Sequence, residues 1–327
     1  MNDTLVSCAV GNVEYALRAG DIIAVMRAER MRAPAACEGG IGVVTVGGQR
    51  ASVYPLGATA GLPVVADDSG GPRDRHIVVL RSETGPVGWL VDHVSRSRLP
   101  ERAHVLPLPP LVGARAQRWF DGVLSAGDRA MLLLSLSPAT HGDGSPFAEI
   151  APTGAHRTSM PMSTSTADGP LVVTFGTDAL PQCGASRYAV SARRVAGVES
   201  GLEVVAVPGS ESPVIGVSVW RGEVLPVIDF RTAAAFLGAE RQRLLIVRCG
   251  GPFAGTSVAI PIDAETTLCQ PTRDNALVDP VHAGAGTIPG YVAGLFDFRG
   301  QMVALIDPDA LLCGQDAVSA TAKQAGC

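Results

Sequence analysis

The stretch Val214 to Gly238 constrains this chain more than any other. It reads VIGVSVWRGEVLPVIDFRTAAAFLG, with two short runs, Gly216 to Trp220 and Val224 to Ile228, on either side of Arg221-Gly222. Branched and aromatic residues fill the first run and apolar residues the second, which suits a pleated, half-buried surface. Gly222 supplies the positive φ that a two-residue hairpin turn requires. Asp229, the small residues that follow, Phe236-Leu237 and Gly238 predict a short helix with an Asp cap and a Gly stop. As geometry alone, this is a packed hairpin followed by a helix, with no activity attached.

The rest of the chain has the same texture. Glycine (38) and proline (24) punctuate short apolar runs, and long helical periodicity is absent, the pattern of small barrels or sandwiches. Strands are expected at Leu5–Val10, Glu14–Leu17, Ile22–Met26, Ile41–Val46, Ala51–Leu56, His76–Leu80 and Pro86–Asp92. A proline-rich extended stretch follows at Val105–Pro110, then a hairpin from Trp119–Leu124 to Met131–Leu136. Residues 141–169 are rich in Gly, Pro, Ser and Thr, the composition of a linker. Beyond them the order of elements recurs: Leu171–Phe175, Arg187–Val190, Val195–Val198, the 214–229 hairpin, Leu244–Arg248, Ser257–Asp263, Tyr291–Phe296 and Met302–Ile306. Gly216 then matches Gly42, Gly222 matches Gly48 and Gly294 matches Gly122. The expectation is a tandem repeat: a divergent first domain over 1–140, a flexible linker over 141–169, a second domain over 170–314 and a tail over 315–327. The copies are unequal. Gly47-Gly48 stands where the second has Arg221-Gly222, and Ser52-Val53-Tyr54-Pro55 where it has Pro226-Val227-Ile228-Asp229.

Composition bounds the function. At 327 residues there is room for two domains. Only 17% of residues are charged, against about a quarter in typical domains, so the chain buries a large core or hides surface against partners. A net charge of −5 argues against nucleic acid as the main ligand. No apolar run nears the roughly 20 residues that span a bilayer, so no membrane insertion is expected. MNDTLVSC lacks the basic-then-apolar order of a secretory signal. Seven scattered cysteines without a CxxC pair predict a reduced, cytoplasmic chain with no zinc site.

Catalytic motifs fail on inspection. Asp67-Asp68-Ser69-Gly70-Gly71-Pro72 resembles the nucleophile segment of trypsin-like proteases. That family needs its His before the Ser, and all six histidines (76, 93, 104, 141, 156, 282) follow Ser69. A lone Asp68-Ser69-Gly70 does not make the paired carboxylates of an aspartic protease. Gly284-Ala285-Gly286 is no dinucleotide fingerprint. Lys323 is the only lysine, which disfavours a P-loop and a kinase. Asp229, Asp263, Asp297 and Asp307 sit at strand ends, where aspartates cap turns and helices. No catalytic residue, cofactor or metal site is expected.

Gly216, Arg221, Gly222, Pro226, Val227, Asp229 and Arg231 together resemble the central signature of the CheW-like domain, the adaptor module of bacterial chemosensory arrays. The resemblance implies a mainly β fold with few short helices, each domain a pair of small five-stranded SH3-like β-barrels. It implies a non-catalytic role: coupling methyl-accepting chemoreceptors to a CheA-type histidine kinase, and association with other CheW-like domains. Trp220, Arg221, Gly222, Glu223, Asp229 and Arg231 are the partner-binding residues it suggests, with Arg221 as anchor. Two alternatives stay open, a CheW-like regulator of another kinase system and a β-rich hydrolase of unrecognised type. Arg221 would be structural if it paired with Asp229 or Glu223.

Overall fold

The computed structural model describes residues 5–11, 13–32, 40–56, 75–82, 85–95, 103–126, 129–135, 171–176, 185, 187–207, 210, 213–229, 239–262, 265–271 and 289–313. The expected linker, the Asp67–Pro72 segment and the expected helix after Asp229 lie outside these residues.

The first copy holds β1 (Leu5–Val10), β2 (Val13–Arg18), β3 (Ile22–Arg27), β4 (Gly42–Val46), β5 (Gln49–Pro55), β6 (His76–Leu80), β7 (Val87–Val91), β8 (His93–Ser95), β9 (His104–Leu106), α1 (Ala114–Trp119), β10 (Phe120–Ala126) and β11 (Arg129–Leu134). The second holds β12 (Val172–Phe175), β13 (Arg187–Ser191), β14 (Val195–Ala206), β15 (Val214–Trp220), β16 (Glu223–Ile228), β17 (Ala239–Arg248), β18 (Ser257–Pro261), β19 (Thr267–Cys269), β20 (Val292–Phe298), β21 (Gln301–Ile306) and α2 (Pro308–Cys313).

The repeat read from the sequence is present in the topology. One sheet runs β8-β1-β2-β11-β10-β9 in the first copy and β19-β12-β13-β21-β20 in the second. Each contains one parallel pair at the same place, Leu132 beside Tyr15 and Ala304 beside Tyr188. The ladders slip at Phe120/Gly122 and again at Val292/Gly294, so the matched glycines mark one conserved bulge geometry. The other sheet runs β3-β6-β7-β5-β4 in the first copy. In the second the same cyclic order closes into a barrel, β14-β15-β16-β18-β17. The closing pairs are Val204 with Ser218, Val205 with Val217 and Ala206 with Gly216.

Gly216 permits that closure, since a Cβ there would lie 2.5 Å from the Val205 carbonyl oxygen. Gly42 has the same duty beside the Arg32–Val43 bridge, where a Cβ would fall 2.9 Å from the Arg32 oxygen. The fold class is therefore the expected one, with two departures. The first copy's smaller sheet joins its two ends by one isolated bridge, Arg32 with Val43, and its larger sheet gains a sixth strand from the proline-flanked His104–Leu106.

Two of the few short helices expected fall at positions where the sequence marks none. Trp119, read as strand, ends α1, which follows a 3-10 turn at Pro110–Val112. Helix α2 begins at Pro308, whose fixed φ suits a first helical position. Asp307 caps it, accepting the Asp309 N–H on Oδ1 at 3.1 Å. Asp297 caps the β20–β21 turn by accepting the Gly300 N–H at 3.0 Å.

The described residues form two compact units, one drawn from 1–149, 203–226 and 234–241 and the other from 150–202, 227–233 and 242–327. The first unit therefore carries part of the second copy. Val205, Val207, Val214 and Val217 belong to the same buried cluster as Cys8, Tyr15, Trp89, Val112 and Phe120. Tyr15 stacks on Phe120 and Trp89 meets Trp119 edge-on. In the second unit, Val172, Ala189, Cys269, Phe296 and Val303 form a separate cluster on one face of the β19–β20 sheet.

Candidate partner-binding hairpin

β15 and β16 are joined by Arg221 and Gly222 alone, at φ 53° and 82°. Positive φ at both central residues is the type I′ geometry, whose twist matches that of the flanking strands. Glycine takes this conformation without cost. Arginine does not, and a left-handed non-glycine residue costs roughly 1–2 kcal/mol. The first copy avoids that cost with Gly47-Gly48, at φ 57° and 83°. The same turn exists in both copies, and only the second puts a long cationic side chain on it.

The guanidinium folds back over its neighbour. Its carbon lies 4.5 Å from the centroid of the Trp220 ring, a cation–π contact that offsets part of the backbone cost by about 0.5–1 kcal/mol. Trp220 is half-buried, while Arg221, Gly222 and Glu223 are exposed. Below the tip, Val219 and Val224 pack against the first unit's core. Leu225 through Ile228 are buried. The hairpin is thus anchored at its base and presents Trp220, Arg221 and Glu223 at its end. Asp229 is half-buried just past β16, away from the turn in sequence, and Arg231 lies outside the described residues.

One feature went unread in the sequence. Among the described residues the non-glycine positions with positive φ are Arg221 and Arg299. Arg299-Gly300 forms the β20–β21 turn, and its guanidinium carbon sits 5.1 Å from the Phe298 centroid. Aromatic-Arg-Gly occurs at both hairpins, and that repeated triplet was the available signal.

The structure brings His76 and His93 together, ring centroids 6.5 Å apart. Among the described residues no group of three His, Cys, Asp or Glu side chains could hold a metal ion. No helix among them is long and apolar enough to cross a membrane.

Two β modules that repeat one strand order make this a duplicated β-domain protein. The chain belongs to the CheW-like domain family, which it matches over residues 4–140 and again over 180–316. Among solved structures it is similar to the scaffolding protein TtCheW from Thermoanaerobacter tengcongensis, at 19% identity and a TM-score of 0.38, over 45% of this chain and 99% of that one. No curated protein matches it.

Proposed function

We propose that this protein is a non-catalytic, cytoplasmic chemotaxis adaptor that couples methyl-accepting chemoreceptors to a CheA-type histidine kinase. The observation that carries the reading is the exposed Arg221 held over Trp220 at the tip of the signature hairpin. Its guanidinium offers five donors in a rigid fork, suited to a partner carboxylate or a row of carbonyls. Arginine and tryptophan are both enriched where interface truncations cost about 2 kcal/mol or more. The first copy's glycine turn has no such side chain, so the second copy is assigned the main contact. The first copy supplies a different surface. Ile23 and Val25 on β3 are 40% and 45% exposed, along a strand that ends its sheet. An apolar sheet edge suits pairing with another β module, here other CheW-like domains.

The test is capture of a purified CheA-type kinase and of a chemoreceptor cytoplasmic fragment by the full chain. Arg221→Ala should weaken capture roughly tenfold or more while the melting temperature barely moves. Undiminished capture by that variant would place the contact elsewhere. Hydrolysis of a peptide or ester panel, abolished by Ser69→Ala, would overturn the non-catalytic reading.

A further inference from the structure

Among the described residues no carboxylate forms an ion pair with Arg187 or Arg299 at the end of the second unit's sheet, and the first copy shows what a neutralised counterpart looks like. The registers place Arg187 beside Val303, and Val303 opposite Phe296. Phe298 lies two residues beyond Phe296 on the same strand and so on the same face, with Arg299 at the turn next to it. Arg187 is therefore one row of the pleat from the β20–β21 tip. The Cys269 thiol senses both groups: burial raises its pKa, while Arg187 and Arg299 oppose that rise.

In the first copy the equivalent of Arg187 is Glu14, because Tyr15 and Tyr188 hold the same parallel pairing. Glu14 accepts from Arg129 at 2.6 Å, so that corner is closed by an internal ion pair. In the second copy the two positions are Arg187 and Gln301. Arg187 Nη2 donates to the Glu265 carbonyl at 2.7 Å, a neutral partner. Arg299 is exposed and stacks on half-buried Phe298. The nearest turn carboxylate, Asp297, is occupied by the Gly300 N–H. The first copy has Ala126-Gly127-Asp128 where the second has Phe298-Arg299-Gly300, so Arg187, Arg299 and Arg221 each stand where the first copy has no arginine. An arginine held in the left-handed region, where glycine would serve, points to a role outside the turn itself.

We propose that Arg299, backed by Phe298 and joined by Arg187, forms a second docking site that takes the carboxylate side chains of an acidic protein segment. It is built from other residues than the Arg221 tip, and its function does not depend on what that tip binds.

The probe is a fluorescein-labelled 12-residue peptide of alternating Glu and Leu, followed by anisotropy against the full chain. The measurement is made in the unmodified protein and in the Arg221→Gly background, where only the second site is read. Arg299→Gly should lose roughly tenfold or more in affinity, with a melting temperature unchanged or raised, because glycine is the first copy's own choice at this kind of turn. Arg299→Lys should fall between, keeping the charge without the fork, and Arg187→Gln should weaken binding with Arg299 in place. No binding of the peptide in the Arg221→Gly background, or equal binding by Arg299→Gly, overturns the site. Displacement by free phosphate at the peptide's own concentration also overturns it, in favour of a small anion. Failure of the kinase-capture test above with these results intact would sink the adaptor reading and leave this one standing.

Discussion

The backbone N–H of Ala130 donates to Oε2 of Glu203 at 2.8 Å, joining the first copy's last strand to the second copy's longest. The Glu203 carbonyl in turn accepts the Ser218 hydroxyl at 2.8 Å. Val205, Val207, Val214 and Val217 complete the cluster that holds Tyr15 and Phe120. The first copy thus finishes its core with residues from beyond position 200.

Protease nicking within 141–169 should therefore yield two fragments that co-elute on size exclusion under native conditions. Fragments that separate and each melt cooperatively would refute the shared core.

Glu203→Ala should destabilise the chain by about 1–3 kcal/mol, the cost of leaving a part-buried donor without its acceptor. Glu203→Gln keeps an acceptor oxygen and should cost less. Urea midpoints check both, and an Ala variant as stable as the Gln variant would remove the hydrogen bond from the account.

Gly216→Ala should cost roughly 1–3 kcal/mol, because its Cβ would meet the Val205 carbonyl oxygen at 2.5 Å and force β14 from β15. Gly222 tests a different cause. A Cβ there meets nothing within 4 Å, so Gly222→Ala should lose only the left-handed penalty of about 1–2 kcal/mol.

Arg221→Gly should leave the melting temperature level or raise it, since the turn already works as Gly47-Gly48. A fall of several degrees would make the Trp220 contact structural.

Alkaline pH should destabilise the protein through Cys8. Burial, and secondarily Glu14, push its thiol from 9.0 to about 12. Below pH 9 it is protonated in both states and contributes no pH dependence. Between pH 9 and 12 the unfolded chain releases the proton and the folded chain does not, so stability falls by about 1.4 kcal/mol per unit. Tyr15, raised first by burial and then by Cys8, acts in the same direction. Urea midpoints at pH 8 and pH 10 should show the drop, and Cys8→Ala should make it shallower.

Much of this was legible in the residues. Period-two alternation and turn glycines mark each strand locally, and a duplicated order of elements needs no coordinates to be seen. The Arg221-Gly222 turn was readable because a two-residue hairpin admits few residue types, and Arg-Gly in place of Gly-Gly is a local substitution. Helix α1 was missed because Ala114–Trp119 is too short for its periodicity to stand out from the strand that follows.

What tertiary structure alone decided is which strands meet across long sequence separations. Closure of β14 on β15 depends on a contact made possible by a missing Cβ. The sharing of Val205 and Val217 with the first copy's core, and the hydrogen bond from Ala130 to Glu203, join residues more than 70 positions apart. Pattern reports that a side chain faces inward, but the partner it meets there is fixed by packing, which no single segment encodes. The same limit hid Arg187 and Arg299. Their sequence positions are 112 apart, and only the parallel pairing of β13 with β21 places both at one end of a sheet.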